Sequence, residues 1–113
     1  MHEQGMIRAL LRQVERLCAV EGAKRVTRVD VEVGPLTGAE PLQLETAFRQ
    51  LKTGTSASDA EFAIHETTLA ARCDICNVQF EVAEFCFRCP QCDGAVELES
   101  GDQFTLVSVS LET

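Results

Sequence analysis

Five of the six cysteines of this 113-residue chain fall between residues 70 and 95. Cys73-Asp-Ile-Cys76 and Cys89-Pro-Gln-Cys92 form two CxxC pairs separated by twelve residues. Two intervening residues allow a tight knuckle to turn both sulfurs toward one ion, and two knuckles complete the tetrahedron that zinc favours with thiolates. Cys86-Phe-Arg-Cys89 is also a CxxC, so the second knuckle has two candidate positions. Knuckles commonly need positive φ just after their second cysteine, which Gly, Asn and Asp tolerate best. Asn77 follows Cys76 and Asp93 follows Cys92, whereas Pro90, whose ring holds φ near −65°, follows Cys89. The expected ligands are therefore Cys73, Cys76, Cys89 and Cys92. Cys86 is left over, and the reading packs it beside Phe85 and Phe87. Four protein thiolates leave no open coordination position, which makes the site a scaffold rather than a hydrolytic centre. Iron in a rubredoxin-like site is the rival to zinc.

The second candidate for chemistry is the beginning of the chain, Met1-His2-Glu3. With the initiator methionine retained, as a large second residue favours, three donors fall in consecutive chelate rings. They are the α-amine of Met1, the amide nitrogen of His2 and the His2 imidazole. Glu3 adds a carboxylate or a further amide. Nitrogen-rich sets of this kind suit square-planar or tetragonal Ni(II) and Cu(II). The same residues also read as the polar start of a helix, with Glu3 complementing its dipole. His65, the other histidine, reads as a surface or hydrogen-bonded residue on a strand.

Elements must position both groups. Ile7, Leu10, Leu11, Val14, Leu17 and Cys18 recur at three- and four-residue spacing, which predicts an amphipathic helix over 4–21 with Cys18 in the core and Gly22 as its stop. Residues 26–33 alternate, Val29, Val31 and Val33 against Arg28, Asp30 and Glu32, as a half-buried strand does. Gly34-Pro35 ends it. A second helix is expected over 41–52, with Pro41 in its first turn and Leu44, Ala47, Phe48 and Leu51 facing inward. Further strands are expected near 60–68, around Phe62 and Ile64, and over 103–111, around Val107, Val109 and Leu111. The expected fold is α/β: two helices on a three-stranded sheet, with the cysteine module inserted before the last strand. Its first domain comprises residues 1–69 plus 101–113, and its small β, zinc-ribbon-like module residues 70–100.

Charge narrows the function classes. Eighteen acidic residues against ten basic ones give a formal net charge of −8, which repels phosphate backbones. Nucleic acid is not an expected partner. No segment is apolar enough to span a bilayer, and Arg8, Arg12, Glu15 and Arg16 interrupt any signal-peptide core. A cytoplasmic, reducing location is expected, in which six cysteines serve as ligands or core residues.

Taken together, Met1-His2-Glu3, Gly22-Ala-Lys-Arg-Val26, Val31-Glu-Val-Gly-Pro-Leu-Thr-Gly38 with Glu40-Pro41, and the two knuckles with Cys89-Pro90 resemble the HypA family of hydrogenase nickel-incorporation accessory proteins. The resemblance covers essentially the whole chain in order. It implies a nickel-binding domain of two helices on a three-stranded mixed sheet. Ni(II) would be held by Met1, His2 and Glu3, and structural zinc by Cys73, Cys76, Cys89 and Cys92. It implies a metallochaperone rather than an enzyme, acting with a HypB-type GTPase on the large subunit of a NiFe hydrogenase. Urease accessory proteins are partners of some relatives. A monomer or weak homodimer is compatible with this reading. The alternative is a zinc-ribbon interaction module without nickel chemistry.

Overall fold

A computed structural model describes residues 2–113. The elements run α1 (Glu3–Val20), β1 (Arg25–Val33), a single 3-10 turn (Pro35–Thr37), α2 (Pro41–Leu51), β2 (Glu61–Glu66), β3 (Ala70–Cys73), β4 (Gln79–Glu81), β5 (Val96–Ser100) and β6 (Phe104–Glu112). They form two three-stranded sheets, ordered β2-β1-β6 and β4-β3-β5. The chain divides into two compact units. One gathers the residues up to Glu32 with Ala39–His65 and Thr105–Thr113. The other gathers Val33–Gly38 with Glu66–Phe104.

In the first unit, α1 begins at His2, whose carbonyl accepts the Met6 N–H at 3.0 Å. It ends where Gly22 takes φ +63° and Ala23 N–H returns to the Cys18 carbonyl, closing off the last turn. Its inward stripe is Ile7, Leu10, Leu11, Val14 and Cys18, all buried. Leu17 departs from the expectation and is 40% exposed. At about 100° per residue it lies roughly 75° from the centre of the buried stripe, on the helix shoulder. In α2, Pro41 occupies the first turn, and the Glu40 side chain accepts the Leu42 N–H. Leu44, Ala47 and Phe48 are buried, and the Phe48 ring stacks on Phe62 of β2 with centroids 4.3 Å apart and planes 3° from parallel. Such a pair contributes about 0.5–1.5 kcal/mol beyond its burial.

The sheet is mixed, as its cross-strand pairs show. Arg28 reaches Glu61 and Asp30 reaches His65, so β1 and β2 run the same way, with α2 as the crossover. Arg25 meets Glu112, Thr27 the Ser110 carbonyl and Asp30 the Ser108 hydroxyl, so β6 runs antiparallel to β1. Val29 and Val31 are fully buried, and Val26 joins them. The opposite face carries Arg28, Asp30, His65 and Ser108.

The second unit is built on an antiparallel sheet whose centre is β3. Ala71 pairs with Phe80 on one side and Leu98 on the other. Leu69, Ala71 and Val82 form its small core, with Phe80, Val96 and Leu98 packed around them. Val33–Gly38 belongs here because Gly34 N–H donates to the Gln103 carbonyl and Leu36 N–H to that of Gly101, both at 2.8 Å. Gly34 presses directly on the Gly101 backbone, and Gly101 itself has φ +118° with Leu69 closing over it.

A methyl group at Gly34 would collide with backbone atoms that have no rotamer to yield. Gly34→Ala is expected to destabilise the chain by about 1–3 kcal/mol, read as a lower urea midpoint at unchanged slope. A neutral effect would show that this approach is not a constraint.

Candidate metal centre

Each cysteine pair sits on the turn of a β-hairpin, and the two turns share one backbone design. In the first, β3 delivers Cys73, whose N–H donates to the Val78 carbonyl at 3.0 Å and whose carbonyl accepts the Asn77 N–H at 2.8 Å. In the second, Cys89 N–H donates to the Gly94 carbonyl at 3.0 Å, and the Cys89 carbonyl accepts the Asp93 N–H at 2.8 Å. Arg88 and Ala95 pair across the base of this second turn. The residues after each second cysteine take the left-handed conformation expected of them, Asn77 at φ +56° and Asp93 at φ +60°.

The result is a closed ring of sulfur. The Sγ atoms of Cys73, Cys76, Cys89 and Cys92 all lie within 4.8 Å of one another. Cys73 and Cys92 are 3.5 Å apart, and Cys76 and Cys89 are 4.0 Å apart. A tetrahedral ion with bonds of about 2.3 Å sets its sulfurs about 3.8 Å apart, so this spacing fits a four-thiolate zinc site. Backbone amides add to the polarity of the ring. Gln91 N–H points at Cys89 Sγ and Cys76 N–H at Cys73 Sγ, each at 3.4 Å. N–H groups of Cys92 and Gln91 hold the Cys89 thiol down at about 7. Cys76 goes the other way, pushed up to about 12 by its hydrogen bond with Cys92 and by burial. A central cation would favour the thiolate form of all four sulfurs together.

Cys86 stands outside the ring and does not pack as expected. It is exposed, on the wall of a cleft of about 400 Å³ shared with Phe80, Arg88 and Pro90. The cause is local backbone. Glu84 and Phe85 both take positive φ, at +52° and +57°, which carries Phe85 and Phe87 outward to 59% and 41% exposure. All three side chains are thus open to solvent and form no buried cluster. Cys18, by contrast, is buried in α1 as anticipated, with its thiol 3.5 Å from the Ala23 carbonyl.

At the other end of the chain, Met1 lies outside the described residues. His2 is exposed at the N-cap of α1. Glu3 is 5% exposed, and its carboxylate accepts the Glu40 N–H at 3.0 Å. That bond ties the first turn of α1 to the start of α2 across 37 positions. No spacing rule pointed to this bond, because a glutamate in a first helical turn ordinarily faces water. His65 Nε2–H donates to the Asp30 carboxylate at 2.9 Å on the outer sheet face. Asp30 also accepts three hydrogen bonds from Arg28 and one from the Ser108 hydroxyl.

Comparison with known proteins decides the family. Residues 1–111 match the family model described as "Hydrogenase/urease nickel incorporation, metallochaperone, hypA". The chain belongs to the HypA family. It is 34% identical over 113 residues to the hydrogenase maturation factor HypA of Chlorobium limicola, covering 99% of this chain and 97% of that one. It is 36% identical to that of Aquifex aeolicus, covering 99% and 98%. The fold matches the solution structure of the Ni metallochaperone HypA from Helicobacter pylori with a TM-score of 0.76 at 21% identity, over 99% of this chain and 98% of that one. The mixed sheet with two helices and the four-cysteine cluster are thus features of a HypA-family fold.

Two outcomes are expected. Cys73→Ser should lower bound metal from about one ion per chain to near none, and should raise amide exchange through β3, β4 and β5 while α1 and α2 stay protected. Native mass spectrometry reads the first effect and hydrogen exchange the second; retained metal would contradict the ligand set. The Asp30 carboxyl is held down at about 2, from an ordinary 3.8, by Arg28 first and His65 next. Its stabilisation is therefore complete above about pH 4 and disappears as pH falls through about 2. Asp30→Asn should be less stable than the parent at pH 7, and the gap should close between about pH 4 and 2 in parallel thermal melts.

Proposed function

We propose that this HypA-family chain is a nickel metallochaperone that takes Ni(II) at its amino terminus and passes it to the large subunit of a NiFe hydrogenase. The whole-length match to a nickel-incorporation family carries the reading. The cargo ligands are the Met1 α-amine, the His2 amide and imidazole, and Glu3. At a helix N-terminus the first amides have no intrahelical acceptor, so deprotonating the His2 or Glu3 nitrogen breaks no helical bond. The positive end of the helix dipole also favours the anionic nitrogen that results. With the Glu3 carboxylate engaged by Glu40, its amide is the better-placed donor, and the carboxylate orients the terminus.

The four cysteines hold zinc, which would supply a rigid cross-link between the two hairpin turns and no reaction chemistry. Residues 70–100 then form the zinc module, and 1–69 with 101–113 the nickel-binding domain. The chain has no turnover of its own and binds no nucleic acid or membrane. No described helix is long and apolar enough to cross a bilayer. It works in the cytoplasm with a HypB-type GTPase, as a monomer or weak homodimer, and urease accessory proteins are further candidate partners, consistent with the family description.

His2→Ala should weaken nickel binding by more than about 100-fold, since losing even an outer partner of a metal ligand costs about 10–100-fold. Its zinc content should be unchanged. A residue added ahead of Met1 should weaken nickel binding in the same way by displacing the α-amine. Calorimetric titration of Ni(II) into the zinc-loaded chain measures both. Unchanged nickel affinity in either variant removes that ligand from the set, and unchanged affinity in both leaves a zinc-ribbon module without terminal nickel chemistry.

A further inference from the structure

Of the five arginines outside α1, all but Arg49 are matched with carboxylates among the described residues. Arg25 pairs with Glu112, Arg28 with Asp30 and Glu61, Arg72 with Glu97 and Glu99, and Arg88 with Asp93. Arg8, Arg12 and Arg16 are arranged differently. They stand four residues apart on α1, all exposed, and among the described residues no carboxylate lies within ion-pair distance of them. Among the described residues Arg8 reaches only the Gln4 side-chain oxygen, at 3.5 Å. A net charge of −8 would ordinarily supply partners for three neighbouring guanidiniums, so this ridge is a local reversal of the chain's field.

The ridge borders a cavity. Arg8, Arg12 and Arg16 line a cleft of about 630 Å³ along the first unit, together with Leu11, Leu51, Thr55 and Glu15. Glu15 brings the one carboxylate to this lining, and both of its oxygens are occupied. One accepts the Ser56 N–H at 2.6 Å and the other the Ser56 hydroxyl at 3.2 Å. The cleft therefore joins leucine side chains to a row of unmatched positive charge.

We propose that this cleft docks an acidic amphipathic segment of a partner protein. Four residues of helix rise about 6 Å, so the guanidiniums repeat at about that interval. A helical segment lying along α1 meets the repeat with glutamates at every fourth position, and bidentate Arg–carboxylate pairing fixes its register. An apolar side chain between those glutamates covers Leu11 and Leu51, as in helix-in-groove recognition. A phosphate backbone fits less well. It would set hydrated anions over leucine, and the remaining surface would repel it. The cleft and the nickel ligands share no residue, so the two readings can fail separately.

The probe is a synthetic helical peptide with glutamates at every fourth position beside a leucine stripe, titrated into the full zinc-loaded chain. Amide shifts should be confined to residues 8–16 and 51–55, and affinity should fall as salt rises. The combined Arg8→Gln, Arg12→Gln, Arg16→Gln variant should bind at least about tenfold more weakly. Its far-UV circular dichroism and zinc content should match the parent. Arg12→Lys, which keeps the charge, should bind the peptide within a few-fold of the parent and guards against a folding artefact in the triple variant. Several results would overturn the proposal: no binding, shifts elsewhere, equal binding of a peptide with glutamine for glutamate, or equal affinity in a folded triple variant. It would equally fail if polyuridylate or phosphatidylserine vesicles bound these residues more tightly than the peptide. Concentration-dependent shifts at the same amides without peptide would assign the cleft to a second copy of the chain and overturn it too.

Discussion

Four sulfurs within 4.8 Å of one another cannot all ionise unless a cation shares their charge. This constraint governs the second unit more than any apolar term does. Its buried core is Leu69, Ala71 and Val82, with three half-buried side chains around them, and its strands are only three to five residues long. At about 1.5–3 kcal/mol for each large apolar side chain fully buried, such a core does not order the 45 residues of this unit by burial alone. The hydrogen bonds of the two knuckles aim the sulfurs, but aiming is useful only if something binds them. Fold and metal site are here one object described from two sides.

The first unit rests on conventional burial. Ile7, Val14, Leu44, Phe48 and the valines of β1 are within a few per cent of full burial, and a parallel β1-α2-β2 crossover joins them. Its polar bonds tie distant stretches together. Glu15 holds the loop at Ser56, and Asp30 gathers three side chains from three strands on the outer sheet face. Each is a carboxylate that meets at least one donor from a distant stretch of chain.

Legibility from sequence followed the length of the pattern. Both helices and β1 carry enough repeats for period to speak, and their limits fell within a residue or two of the expected ones. The knuckles were legible for another reason. Positive φ is a hard local demand, and Asn77, Asp93 and Pro90 are hard local answers to it. Strands β3, β4 and β5 gave no such signal, since strands of three to five residues hold too few alternations and their pairing depends on the ring of sulfur. Leu17 falls outside the buried stripe because three- and four-residue spacing marks a stripe without marking its width. Around Cys86, neighbours in sequence are not a buried cluster in space, since two left-handed residues beside it send the aromatic rings outward. The Glu3–Glu40 bond is tertiary and has no one-dimensional trace.

That bond has a consequence for when the terminus acquires its shape. The Glu3 carboxylate and the amide that anchors it are 37 residues apart, so the first turn of α1 has no fixed anchor until the start of α2 has been made and has docked. A short peptide copying the opening residues would keep the Glu3 side chain and lose the amide that holds it, so the form of this turn is a property of the folded domain and not of its own sequence.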